Sequence, residues 1–159
     1  MPADRAVNIH ATAIVLGDRG VLIAGPSGSG KSALALSLLS SFGRTGRFAR
    51  LVGDDQLFVE ARAGRLVATC PDTIAGLAEV GGLGPRRLSN LNSAVIDLAV
   101  RLTDPSETKR FSDPESEHIA GVPLPLLVLP ANNVAASLLA VTAWLEAPPF
   151  LPRSGSDAP

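Results

Sequence analysis

Lysine is nearly missing from this chain of 159 residues: twelve arginines carry most of the positive charge, and only Lys31 and Lys109 stand beside them. Cysteine is scarcer still. Cys70 is the only one, which excludes an internal disulfide and fits a reducing compartment. No histidine lies near it in sequence, so it reads as a buried or bland thiol rather than a nucleophile. A long apolar run is also absent: none reaches the roughly 18–20 residues needed to span a bilayer. The start, Met1 to Arg5, is not followed by an uninterrupted apolar signal region. A cytoplasmic protein is the expectation. Neither sign of charge dominates either, since the net charge is −1 and the arginines are scattered. The chain therefore lacks the electrostatic footprint of a protein that binds nucleic acid or an anionic membrane.

What is present suffices for one ordinary folded domain: 46% of residues are hydrophobic and 18% charged. Residues 1–147 are expected to form it, with 148–159, rich in proline and polar residues, as a frayed tail. Ile9–Leu16 and Val21–Ala24 read as short strands across a Gly17-Asp18-Arg19-Gly20 turn. Ser32–Phe42, with leucines at 34, 36, 38 and 39, reads as a helix ended by Gly43 and Gly46. Phe48–Val52 is expected as a strand, and Gln56–Ala61 with Arg65–Thr69 as a hairpin. Leu77–Val80 reads as strand, Gly81–Pro85 as loop, and Ala94–Leu102 as one long apolar strand. Thr103–Glu117, polar and aperiodic, is expected as a mobile loop, followed by a strand within Gly121–Leu129 and a last helix, Val134–Glu146, with one apolar face. The expected fold is α/β: a P-loop core in a strand-rich mixed sheet with few helices. Domains that alternate strand and helix regularly are built differently.

One of the two lysines stands in the run Gly25-Pro26-Ser27-Gly28-Ser29-Gly30-Lys31-Ser32. It matches G-x-x-x-x-G-K-[ST], with an apolar strand before it and a helix after it. The glycines let successive N–H groups curl inward onto phosphate oxygens, and the helix N-terminus adds partial positive charge. Lys31 supplies a point charge to the outer phosphates, and the Ser32 hydroxyl can ligate Mg²⁺. The alternative is a glycine-serine turn that merely starts a helix. The motif, its flanks and the scarcity of lysine all favour a nucleoside triphosphate site.

Asp54-Asp55 follows a strand directly. Phosphoryl chemistry needs a carboxylate near the phosphates, to hold Mg²⁺ or to deprotonate a hydroxyl nucleophile. Two adjacent carboxylates at a strand end face different sides and are expected to differ in role. The same pair would also serve as an ordinary polar turn. His10, on the strand before the P-loop strand, can reach the phosphate site, whereas His118 is expected in solvent.

His10, the GPSGSGKS loop, the helix SALALSLL, the strand RLVGDD and the segment AGLAEVGGLG together resemble the HPr kinase/phosphorylase family. The likeness runs from about Val7 to Gly84 and more loosely to the last helix, in the manner of the short, catalytic-domain-only form found in alphaproteobacteria. It implies a kinase that uses ATP and Mg²⁺ to phosphorylate a serine of the phosphocarrier HPr in the bacterial phosphotransferase system. It also implies removal of that phosphate by phosphorolysis, a core related to phosphoenolpyruvate carboxykinase, and a homo-oligomer, often a hexamer. By position it assigns Lys31 and Ser32 to phosphate and Mg²⁺, Asp54 to the metal, and Asp55 to the serine proton. It makes His10 a catalytic-site histidine, Glu79 a second Mg²⁺ ligand and Arg110 a contact to the transferring phosphate. With 4% aromatic residues there are few rings to stack on adenine, so weak base selectivity is expected. Two departures stand out. Gly81 occupies the place of the family's arginine after the glutamate, and Ala131-Asn132-Asn133 that of a Gly-Arg-Asn stretch associated with dephosphorylation. Phosphorolysis is therefore expected to be weak or lost. Two other readings stay open: a P-loop kinase or hydrolase acting on a small molecule, and a nucleotide-sensing regulator without catalysis.

Overall fold

The computed structural model describes residues 5–110 and 113–153. Its centre is the strand that leads into the P-loop. This is β3 (Arg19–Ala24), paired antiparallel with β2 (Ala11–Leu16) and parallel with β10 (Leu98–Thr103). With β4 (Ala49–Gly53), β11 (Glu115–Ile119) and β12 (Val122–Pro130) they form a six-stranded mixed sheet of order β11-β12-β10-β3-β2-β4. A second, antiparallel sheet has the order β1-β5-β6-β9, from β1 (Val7–Ile9), β5 (Leu57–Arg62), β6 (Arg65–Thr69) and β9 (Ser93–Ile96). A separate hairpin pairs β7 (Leu77–Val80) with β8 (Gly84–Arg87).

Both faces of the six-stranded sheet are covered, which is why its central strands read as unbroken apolar runs rather than alternating ones. One face, with Ile14, Leu16, Val21, Ile23, Val100 and Leu102, packs on helix α1 (Lys31–Arg44) and on Val141 of helix α2 (Val134–Trp144). The other, with Ala13, Val15, Leu22 and Ala99, packs on Leu57, Val59, Leu66 and Ala68 of the second sheet. The result is three layers, helices on sheet on sheet, with two hydrophobic cores.

Several expectations change in detail. The run expected as one strand from Ala94 to Leu102 is two, because Asp97 turns the chain from one sheet into the other. The Asp97 N–H donates to the Gly20 carbonyl at 2.8 Å, its carboxylate accepts the Gly20 N–H at 2.9 Å, and Arg65 pairs with it at 3.0 Å. The first strand likewise breaks at His10, between β1 and β2. Gly43 lies inside the last turn of α1, and it is Gly46, in left-handed conformation, that ends the helix. The segment expected as loop after Val80 closes into β8, an edge strand whose Pro85 lies opposite Glu79. The loop expected over Thr103–Glu117 is partly ordered by a 3-10 turn at Pro105–Glu107 and by β11, which carries the exposed His118; positions 111–112 lie outside the described residues. Helix α2 has no charged residue and exposes Leu139, so it is apolar around most of its circumference rather than on one face. Of the expected tail, 154–159 lie outside the described residues, while the Phe150 N–H donates to the Ala147 carbonyl and Arg153 faces Glu146 at 3.8 Å. No described helix is long and apolar enough to cross a membrane.

The two sheets approach closely where β3 starts. A Cβ on Gly20 would lie 1.9 Å from the Val95 carbonyl oxygen, a backbone atom that cannot swing aside. Gly20→Ala is expected to cost about 3 kcal/mol, at the upper end of ordinary overpacking. Urea unfolding would register this as a lower midpoint at unchanged slope. A loss below about 0.5 kcal/mol, the range of neutral surface changes, would contradict the close packing described here.

Candidate active site

The P-loop joins β3 to α1. It needs glycine for two physical reasons. A Cβ on Gly25 would meet Ser29 Oγ at 2.7 Å and the Leu102 carbonyl at 3.0 Å, and Gly30 sits at φ 94, where other residues are strained. The Ser29 N–H closes a turn onto the Pro26 carbonyl at 3.1 Å. Gly30 offers no side chain to cap α1, and Lys31, Ser32 and Ala33 of its first turn line the cleft. An uncapped helix start of this kind attracts an anion. The Lys31 side chain is nearly buried, and its ammonium donates to the carbonyls of Gly25 (3.0 Å) and Pro26 (3.1 Å). Those two contacts use two of its three protons and hold it over the loop.

Across from the loop, Asp54 and Asp55 diverge as the sequence suggests for adjacent carboxylates. Asp54 turns inward and is 8% exposed. Its Oδ1 accepts from Thr12 Oγ at 2.7 Å and from Ser32 Oγ at 2.8 Å, and its Oδ2 accepts from Ser32 Oγ at 2.9 Å and from the Glu79 N–H at 3.2 Å. A buried carboxylate is tolerated when hydrogen-bonded in this way. Asp55 faces outward at φ 74, a left-handed conformation that aspartate adopts more readily than most residues with a side chain. Its carboxylate meets His10 Nε2 at 2.7 Å, and both groups are more than half exposed. His10 lies at the break between β1 and β2.

His10, Lys31, Ser32, Asp54, Asp55 and Glu79 all line one cleft of about 400 Å³, together with Ser27, Gly28, Gly30, Gly81 and Asn132. Gly25, Pro26 and Ser29 build the loop from behind, and Ser29 Oγ is buried without a hydrogen-bond partner. Arg110 follows the 3-10 turn after β10 and is not among the lining residues. Cys70 is buried behind Gly53, away from the cleft. Burial first, and then the Asp72 carboxylate, push its thiol above the ordinary value, so it stays protonated and unreactive at neutral pH.

Two residues of this site are not assigned to it by sequence reasoning, although Asn132 is marked there as part of a departure from the family's pattern. Thr12 is one apolar-flanked threonine among many in a strand, and nothing local marks it as a partner of Asp54. Asn132 sits in a Pro-Ala-Asn-Asn turn of ordinary composition; its N–H donates to the Ser29 carbonyl at 2.9 Å and so straps the turn to the P-loop. A P-loop paired with a nearby carboxylate is common to many phosphoryl-transfer proteins, so the geometry alone leaves the family open.

Comparison with known proteins narrows it. Residues 3–143 match the family model described as the HPr serine kinase C-terminal domain. The HPr kinase/phosphorylase of Xanthomonas campestris pv. campestris (strain B100) is 36% identical over 154 residues, covering 86% of this chain and 47% of its own length. That of Xanthomonas oryzae pv. oryzae (strain PXO99A) matches to the same extent. The chain thus spans about half the length of the curated relatives it matches. Among solved structures, the HPr(Ser) kinase/phosphatase from Coxiella burnetii has the same fold, with a TM-score of 0.74, 24% identity and coverage of 88% of both chains. The chain belongs to the HPr serine kinase family, matching its C-terminal domain.

Proposed function

We propose that this chain is an ATP- and Mg²⁺-dependent kinase that phosphorylates a serine of an HPr-like phosphocarrier protein. The observation that carries this is the exposed Asp55–His10 pair at 2.7 Å on the cleft opposite the P-loop. A hydrolase needs only a positioned water, and a small-molecule kinase usually encloses its acceptor. Here the carboxylate stands at an open mouth, within reach of a hydroxyl presented by another macromolecule.

The residues fit Mg²⁺, which takes hard oxygen donors and is commonly held by one or two carboxylates together with substrate phosphates. Ser32 donates its hydroxyl proton to Asp54, which leaves its oxygen lone pairs available; Asp54 supplies carboxylate oxygens beside it, and Glu79 lines the same cleft. Bound there, the ion would neutralise charge on the outer phosphates. Lys31 and the N–H groups of the loop and first helical turn would hold those phosphates in line. In the transfer, the serine oxygen forms a bond to the terminal phosphorus while the bond to the bridging oxygen breaks. That electron pair leaves with ADP, and the serine proton passes to Asp55. His10 donates from Nε2 to the Asp55 carboxylate and fixes its orientation. Arg110, outside the lining of the cleft, takes no part in this scheme.

Incubation of HPr with the protein, ATP and Mg²⁺ is expected to add one phosphoryl group to one serine, read by intact mass and site mapping. No gain, under conditions where the protein binds ATP, would refute the kinase assignment. Asp55→Asn is expected to lower the transfer rate by about 10²–10⁴-fold while nucleotide affinity stays the same. An unchanged rate would remove Asp55 from the chemistry. Phosphorolysis is expected to be slow, because Gly81 and Asn132 line the cleft where the family resemblance places arginines. Rapid pyrophosphate release from phospho-HPr in excess phosphate would show that those charges are dispensable.

A further inference from the structure

The two walls of the cleft differ in charge. One carries Asp54, Asp55 and Glu79; the other is the P-loop, and Lys31 is the only lysine or arginine among the lining residues. Asn132 lines the same cleft from outside the P-loop, on the turn between β12 and α2. It is held from several sides. Its N–H donates to the Ser29 carbonyl at 2.9 Å, the preceding Ala131 N–H donates to the Thr103 carbonyl at 2.7 Å, and the Asn133 side chain that follows caps α2 through the Ala136 N–H at 3.2 Å.

The side chain is exposed and lies against the P-loop. Asn132 Oδ1 lies 3.3 Å from where a Cβ on Gly30 would stand, so the amide covers the glycine at which α1 begins. The backbone of Asn132 is left-handed, at φ 54. Glycine makes such a turn without strain; asparagine tolerates it better than most residues but still carries a side chain there. A turn that only had to reverse the chain has no use for an amide facing the cleft. Among the described residues the Asn132 side chain makes no hydrogen bond that would otherwise explain it; the neighbouring Asn133, by contrast, has its helix cap.

We propose that Asn132 is a further nucleotide ligand: its NH₂ group donates to an oxygen of the phosphate chain and extends the donor wall of the P-loop past Gly30. This rests on the nucleotide reading of the cleft given above. A neutral amide adds a hydrogen bond to a charged oxygen without repelling Lys31 or pairing with the acidic wall. Its backbone is anchored at Ser29, so only side-chain freedom is lost when the ligand arrives.

The test compares two variants by calorimetric titration of the full chain with ATP and Mg²⁺, alongside melting of the ligand-free proteins. Asn132→Gly keeps the left-handed turn and the Ser29 contact but deletes the amide. Asn132→Asp keeps size and turn but replaces the donor with a charge. Relative to wild type, ATP is expected to bind about tenfold more weakly to the Gly variant, the usual loss for one hydrogen bond to a charged group, and more weakly still to the Asp variant. Free-protein melting is expected to change little. If wild type binds ATP and either variant binds it equally well, Asn132 is not a phosphate donor. If wild type itself binds no nucleotide, the reading of the cleft fails first, and the proposal falls with it.

Discussion

Four separate parts of the chain meet at the carboxylate of Asp54. Thr12 comes from β2, Ser32 from the first turn of α1, the Glu79 N–H from the β7–β8 hairpin, and Asp54 itself from the end of β4. A carboxylate that is only 8% exposed survives because every one of these donors faces it. The contacts have a second consequence. They fix the distance between the P-loop, which would hold phosphates, and the Asp55–His10 pair, which would receive a proton. Asp55 is the very next residue, and its left-handed backbone turns its carboxylate away from Asp54 and out to the cleft mouth. One buried polar network therefore positions both halves of the chemistry.

The layers around this network position it. The parallel pair β3 and β10 is buried on both faces, and the P-loop leaves the sheet at the carboxyl end of β3, where ligands of open α/β sheets commonly bind. The second sheet covers the opposite face and carries β1, whose end delivers His10. Asp97 and Gly20 clamp the two sheets together at the other end of β3. The site is thus built at the edge of a packed core rather than on loops alone, which is the arrangement that holds catalytic geometry best.

How much of this is legible in the sequence follows the physics of each part. Phosphate binding is local, eight consecutive residues and a helix start, so the P-loop is readable in full. The divergence of Asp54 and Asp55 is legible as two adjacent carboxylates at a strand end, although it is the left-handed backbone of Asp55 that turns them apart. The long-range partners are less accessible. Thr12 looks like any strand threonine, and Asn132 is marked only as a departure from the family's pattern, until the fold brings them to Asp54 and Ser29. The strand split at Asp97 is hidden for another reason: residues on both sides of it are apolar because both destinations are buried, so the pattern gives no hint of a change of sheet. The β8 strand is masked by its composition, Gly-Pro-Arg-Arg, which is tolerated only because it is an edge. A protein serine as the acceptor is not legible in the residues at all; it enters only as the proposal that the family resemblance prompts.

The most direct test of the account is the metal dependence of nucleotide binding in wild type and in Asp54→Asn, a nearly isosteric change at the centre of the network. Wild type is expected to bind ATP more tightly with Mg²⁺ than without, and Asp54→Asn to lose most of that difference while remaining folded. Equal metal dependence in the two proteins would contradict the claim that Asp54 organises the phosphate and metal side of the site.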